Sequence, residues 1–365
     1  MQTTSLAIKY TALYNFTEMQ ANSKSIYNGV EPMACNCDYI LPTAAGWQPH
    51  YDNCRSHWET TNGKPCPKNE DETIRLPNPH LAALEYDVLY HLGLDTKNYD
   101  LPAMFGDVKF VCMGGTKLRM RELARYLSEV LQTPSDLVNI TKHSHRYAMF
   151  KVGPVLCVNH GIGIPSLTIV LEEVIKLLHY ARARDPVIIR VGTSGGLGIP
   201  AGSVVISAGA INGTLEQVYD IPVMGKVRKL PAVFDRRLNQ ELQSLAPADA
   251  EYRTFCGITM AANEFYRGQA RLDGPFCDYT AADKMAFLSR LVSLGVRNIE
   301  MEATAFAAIT HEAGLRATDV CVTYLDRLKG DQVTPSADTL AAWQKRPMEV
   351  IGRYIKKYCE LKLKK

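Results

Sequence analysis

What this sequence has little of narrows its function before any motif is read. It has no long uncharged apolar run. Its most apolar stretches, such as LTIVLEEVIKLLHYA at residues 167–181, are broken by charge and too short to span a bilayer, so no membrane role is expected. It has little charge imbalance: 41 Lys and Arg stand against 38 Asp and Glu, a net charge of +3. No basic run is interleaved with aromatics, which argues against nucleic acid as a partner. The start, MQTTSLAIKYTALYNF, lacks a basic segment followed by an apolar core, so no signal peptide is expected. There is no internal repeat, and no glycine loop ending in Gly-Lys-Ser/Thr. No G-x-G-x-x-G is followed about twenty residues later by an acidic residue on a strand. Nucleoside triphosphates and dinucleotides therefore lack their motifs.

Cysteine is present, ten residues in all. Six of them (Cys112, Cys157, Cys256, Cys277, Cys321 and Cys359) lie mostly in apolar strand-like text, where cysteine behaves as a small hydrophobe. That usage suits a reducing compartment and a cytoplasmic protein. The other four, Cys35, Cys37, Cys54 and Cys66, fall in a polar, turn-rich segment with His50 and His57. A zinc knot is the sharp reading of that segment. The spacing, Cys-x-Cys and then sixteen and eleven intervening residues, matches no common finger. The bland reading is a disordered extension over residues 1–75 with incidental cysteines, and it is the one expected here.

From residue 76 to 365 the text alternates between strand and helix patterns. DVKFVCMGG reads as a buried strand and KLRMRELARYLSEVL as a helix. YAMFKVGPVLCVNHG reads as a hairpin, and PSLTIVLEEVIKLLHYARAR as a crossover helix opening on proline. The strands PVIIRVG and GSVVISAG follow, then a loop to about 235, the helix RRLNQELQSLA and the strand EYRTFCGITMA. After them come the helix AADKMAFLSRLVSLG, the short strand RNIEME, the helix ATAFAAITHEAG, the strand ATDVCVTYL and a final helix near 338–358. This pattern predicts a single α/β domain with a central mixed β-sheet flanked by helices on both faces. In such sheets ligands gather outside the carboxyl ends of the strands.

Polar residues collect at those ends: Gly115 and Arg119, Arg190 and Thr193, Gln269 and Arg271, Glu300 and Glu302, Asp326 and Arg327. A glycine and hydroxyl turn at 192–196 with arginines beside it suits a phosphate dianion, held by backbone N–H groups and paired guanidinium donors. Arg190 lies in an apolar strand and needs an anionic partner there, either a ligand or a buried carboxylate. GQARLDG offers a carboxamide and a guanidinium two residues apart, a pair able to read a planar heterocycle or to form a solvated loop. EME sets two carboxylates on one strand face, suited to sugar hydroxyls or equally to the surface.

Seven ordered segments resemble the uridine phosphorylases of the nucleoside phosphorylase superfamily, the animal type most closely. They are YDLPAMFGDVKFVCMGG, RYAMFKVGPVL, NHGIGIPS, IIRVGTSGGLG, FYRGQARLDG, GVRNIEME and VCVTYLDRLKGDQV. The resemblance implies the nucleoside phosphorylase fold and reversible phosphorolysis of uridine to uracil and ribose 1-phosphate, with deoxyuridine and thymidine as further candidates. It implies phosphate as co-substrate, with no metal and no organic cofactor. Gly115, Arg119, Arg190 and Thr193 would hold phosphate, joined by Arg146 from a second subunit. His91, also from that subunit, would cap the ribose, which lies on Met301 and Glu302. Phe265, Gln269, Arg271, Tyr324, Leu325, Arg327 and Val333 would surround uracil, and Arg190, Glu302 and Arg271 would carry the catalysis. A homodimer with shared active sites follows. His143, His145, His160, His179 and His311 are read as ordinary core or surface residues.

Two positions depart from the family pattern. His145 stands where many relatives have Asp, so a pH-dependent phosphate affinity is expected, and Tyr324 stands where Leu is common, so altered tolerance of substituted uracils is expected. Two rivals remain. Asp326 stands near the aspartate with which purine phosphorylases protonate their base, and a non-catalytic nucleoside-binding protein can use the same scaffold.

Overall fold

A computed structural model describes residues 65–363 apart from 145 and 248–250. The zinc-knot reading (Cys35, Cys37, Cys54, His50 and His57), the disorder expected before residue 65, and His145 lie outside the described residues. Residues 65–75, expected in the extension, pack on the domain instead. Cys66 N donates to Glu312 O at 2.7 Å, Thr73 bridges to Arg184, and Ile74 is fully buried. A single buried isoleucine amid polar text carries no periodicity, so this boundary was not legible.

The strands in chain order are β1 Val88–Leu89, β2 Leu94–Asp95, β3 Phe110–Gly114, β4 Met149–Val152, β5 Val155–Asn159 and β6 Val187–Gly196. They continue with β7 Val204–Ile211, β8 Val218–Val223, β9 Lys226–Pro231, β10 Thr254–Ala261, β11 Val296–Glu300 and β12 Arg316–Asp326. Eight of them form one mixed sheet in the order β11-β10-β7-β12-β6-β3-β5-β4. β5, β3, β6 and β12 run parallel, β7 crosses antiparallel beside β12, and β11 folds back to pair antiparallel with β6. The sheet thereby curls until its first strand meets its middle.

The glycine segment makes that closure possible. Read from sequence as a turn, Gly192–Gly196 instead continues β6, with Gly195 and Gly196 opposite Ile299 and Asn298 of β11. A Cβ on Gly195 would lie 2.9 Å from Arg327 Cγ, and one on Gly196 would lie 3.1 Å from Leu325 O. Only glycine lets three strands approach there.

Helices cover both faces. Lys117–Val130 starts at an N-cap, Thr116, whose hydroxyl accepts from Arg119 N. Its Met120, Leu123, Ala124 and Leu127 recur at helical spacing and are buried against Ile351, Tyr354 and Ile355 of the Ala337–Leu363 helix. Each such side chain contributes roughly 1.5–3 kcal/mol. On the other face the Ile164–Tyr180 helix presents Leu167, Val170, Leu171 and Val174 to Phe306 of the Ala303–Glu312 helix. The loop expected up to residue 235 contains the hairpin β8–β9. Both strands hold proline, β8 is almost evenly half-buried and β9 exposed over its first four residues, so neither shows the alternation that marks a strand with one buried face. Among the described residues no helix is long and apolar enough to cross a membrane.

Candidate active site

Arg190 is the centre of the site, and its local chemistry follows from its position on β6 between two strands. It stands opposite Met113 of β3 and Asp319 of β12. With the side chain 3% exposed, the charge needs partners. Nη1 donates to Asp319 Oδ1 at 2.8 Å and to Cys321 Sγ at 3.3 Å. Nη2 pairs with Glu300 Oε2 at 3.0 Å and with Glu302 Oε2. Of the two partners open to Arg190 from sequence, the carboxylates are therefore present. Nε is buried without a hydrogen bond among the described residues.

The EME segment supplies two of those carboxylates because β11 ends there and a helix begins. Glu300 closes the strand, and its carboxylate accepts from Glu302 N at 2.8 Å and Ala303 N at 2.9 Å, capping the Ala303–Glu312 helix. Glu302 Oε1 accepts from Gly163 N at 2.5 Å, the residue preceding the Ile164–Tyr180 helix. Burial, with Glu302 and Asp319 beside it, raises the Glu300 pKa against the pull of Arg190. Burial opposes ionisation of Glu302 as well, but Arg190 and its other donors hold its pKa below the usual range. A neutral Glu300 beside an ionised Glu302 keeps the group from carrying three negative charges around one guanidinium.

Arg119 approaches from the first turn of the Lys117–Val130 helix. Its guanidinium is close enough to Arg190 to feel its charge, and a Cβ on Gly115 would lie 3.7 Å from Arg119 Nη1. Nε donates to Gln344 Oε1 at 3.1 Å. Thr193 is half-buried three residues along β6 from Arg190. Arg119, Arg190, Gly115 and the start of the Lys117–Val130 helix thus lie together beside the end of β3. His160, read from sequence as an ordinary residue, belongs to this group. It is 1% exposed, both ring nitrogens lack a hydrogen-bond partner among the described residues, and Arg190, Glu302 and Arg119 all act on it. Burial first, then the arginines, push its pKa down to about 3, so it is neutral at physiological pH.

A second group forms where β12 ends. Arg327, 1% exposed, donates from Nη2 to Gln269 O at 2.8 Å, from Nη1 to Gln269 Oε1 at 3.4 Å and from Nε to Asp331 Oδ1 at 3.0 Å. Asp331 also accepts from Lys284 Nζ at 2.8 Å and Leu272 N at 3.0 Å. Arg271 pairs with Asp273 through Nε at 2.9 Å and Nη2 at 2.7 Å. Its guanidinium lies 4.5 Å from the centroid of Phe265. Within GQARLDG, Gln269 and Arg271 are therefore buried and hydrogen-bonded, while Leu272 and Asp273 are exposed. Phe265 and Val333 are exposed, while Leu325 and Met301 are half-buried. Asp326 is engaged elsewhere: its Oδ1 accepts from Gly198 N at 3.1 Å and Leu328 N at 3.2 Å.

His91 and Arg146 stand apart from both groups, next to each other. Ser144 Oγ donates to His91 O, and the His91 ring meets Tyr147 edge-on at 6.4 Å. Glu173 holds the His91 turn, accepting from His91 N, Leu92 N and His91 Nδ1. Arg146 is exposed and lies three residues before the edge strand β4, which is three strands from β6.

The chain matches the phosphorylase superfamily over residues 109–356. Uridine phosphorylase 1 of Mus musculus is 46% identical over 292 residues, covering 79% of this chain and 94% of its own length. Inactive uridine phosphorylase B of Schistosoma mansoni is 37% identical over 281 residues, covering 77% of this chain and 95% of its own. The crystal structure of uridine phosphorylase from Schistosoma mansoni in complex with thymidine superposes with a TM-score of 0.76 at 39% identity, covering 78% of this chain and 99% of that one. The curled mixed sheet and these likenesses agree, and the chain belongs to the uridine phosphorylases of the nucleoside phosphorylase superfamily.

Proposed function

We propose that this chain catalyses the reversible phosphorolysis of uridine to uracil and ribose 1-phosphate. The observation that carries this reading is the placement of two guanidinium groups, Arg119 and Arg190, beside Glu302, with the Gln269–Arg327 pair where the neighbouring strand β12 ends. Uracil presents acceptor, donor and acceptor along one edge. The Gln269 carboxamide complements a donor and an acceptor of that edge, and Arg271 supplies donors to the remaining carbonyl. Arg327 acts through Gln269, which it grips at two atoms. Phe265, Leu325 and Val333 supply apolar surface, and Met301 with Glu302 receives the ribose.

Cleaving the glycosidic bond leaves positive charge on the sugar and negative charge on the base. Arg271, oriented by Asp273 before any substrate arrives, stabilises the leaving uracil. Glu302, oriented by Gly163 N and Arg190, holds the ribose hydroxyls on the electron-deficient sugar. Phosphate, positioned by Gly115, Arg119, Arg190 and Thr193, is both counter-charge and nucleophile. His91 and Arg146 complete the pocket of a second subunit, so the working unit is a homodimer. Their location beside each other, with Arg146 exposed near the edge strand β4, supports this. Inorganic phosphate is the co-substrate, and the residues named need no metal or organic cofactor for these roles. Buried free thiols at Cys112, Cys157 and Cys321 support a reducing, cytoplasmic setting.

Asp326, tied to two backbone amides, is poorly placed to protonate a purine, and retention of Arg119, Arg190, Gln269, Arg271 and Glu302 supports turnover over mere binding. The test is chromatography of products with uridine and with inosine in phosphate buffer. Equimolar uracil and ribose 1-phosphate from uridine, with inosine intact, is the expected result. Preferential cleavage of inosine, or uridine binding without product, would overturn it.

A further inference from the structure

Arg119 and Arg190 are held in opposite ways. Arg190 is surrounded by carboxylates, which fix it and offset its charge. Arg119 is held by neutral groups. Its Nε donates to Gln344 Oε1 at 3.1 Å, a residue of the C-terminal helix 225 positions away in the chain. The phenol of Tyr324, half-buried on β12, lies against both the Arg119 guanidinium and the Gln344 carboxamide. The hydroxyl that departs from the family's usual leucine thus faces an arginine of the phosphate group rather than the Gln269–Arg327 pair. Neutral acceptors can orient a guanidinium while leaving its full charge for an incoming anion. They also remove in advance the rotamer freedom that an arginine otherwise loses on binding. Gly115, without a side chain, keeps the space beside Nη1 open.

We propose that Tyr324 and Gln344 are positioning residues that aim Arg119 at inorganic phosphate, so that Tyr324 serves the anion and not the base. This rests on the reading of Arg119 as a phosphate ligand. Steady-state kinetics with phosphate and uridine varied in turn, on wild type, Tyr324→Phe and Gln344→Leu, provide the test. Each variant removes one oriented contact to a charged group, and the expected effect is a rise of roughly tenfold in KM for phosphate. KM for uridine and kcat stay within about twofold. In an Arg119→Lys background the effect of Tyr324→Phe disappears, which a general loosening of the fold would not produce. An unchanged phosphate KM in a phosphate-dependent enzyme, or a change confined to uridine KM, overturns the positioning role alone. Full wild-type turnover without phosphate removes the proposed function and this role with it.

Discussion

Arg190 of β6 and Asp319 of β12 stand opposite each other in the parallel register, and their side chains meet at 2.8 Å with neither more than 3% exposed. The pair lies inside the sheet, directly beneath the carboxylates of the active site. Ser207 Oγ donates to the other Asp319 oxygen at 3.1 Å. Asp319→Ala leaves Arg190 Nη1 and Ser207 Oγ without their carboxylate acceptor while Glu302 still faces the guanidinium, and a buried polar group left unsatisfied typically costs about 1–3 kcal/mol. Asp319→Ala is therefore expected to lower unfolding stability by about that much, measured by urea denaturation. A loss under about 1 kcal/mol would show that the pair is not structural.

Glu300 gives a pH dependence whose sign can be worked out. Burial and the carboxylates of Glu302 and Asp319 raise its pKa. It is neutral in the lower range and becomes an anion as pH rises through that raised value. The new charge lies beside the proposed phosphate site, so KM for phosphate should climb on the alkaline side. Glu300→Gln mimics the neutral form and is predicted to flatten that climb. Parallel alkaline limbs in wild type and variant would contradict the assignment.

His160 gives the opposite limb. Its folded-state pKa of about 3 lies below the ordinary 6.5, so the unfolded chain takes up the proton first as pH falls. The penalty is absent above 6.5 and grows as pH drops from 6.5 toward 3, by up to about 1.4 kcal/mol per unit. Between pH 7 and pH 5, His160→Gln should lose about 2 kcal/mol less than wild type. Urea midpoints at the two pH values decide this, and equal losses would exclude His160 as the source.

Much of this site was legible in the sequence because charge in an apolar strand is a physical anomaly. Arg190 in VIIRVG announced a partner, and Asp319 in ATDVCVTYL carries the same signal, so the two anomalies could have been joined. Gln269, Arg119, Arg271 and Arg327 were singled out by where α/β sheets bind ligands. Asp331, Lys284 and Gln344 were not found. Their text is ordinary for loops and helices, and their roles come from contacts across 47 to 225 positions. The β6 glycines were read as a turn because turn and strand closure both call for a missing side chain. Only the pairing with β11 distinguishes them.

The position of Arg146 and His91 predicts complementation between subunits. Arg146→Ala and Glu302→Gln are each expected to be nearly inactive alone. Mixed chains form half heterodimers, and each heterodimer rebuilds one intact site of two. Activity should therefore return to about a quarter of wild type. Co-expression followed by a uridine assay measures this, and no recovery despite confirmed heterodimers would place Arg146 in its own chain's pocket.

The central claim is that Arg119 and Arg190, gathered beside the carboxyl end of β3, serve inorganic phosphate as nucleophile. It is tested most directly by following uracil release from uridine in phosphate-free buffer and then during phosphate titration. The account predicts negligible release at zero phosphate and a saturable rise with one ribose 1-phosphate formed per uracil. Release at an undiminished rate without phosphate, yielding free ribose, would contradict it.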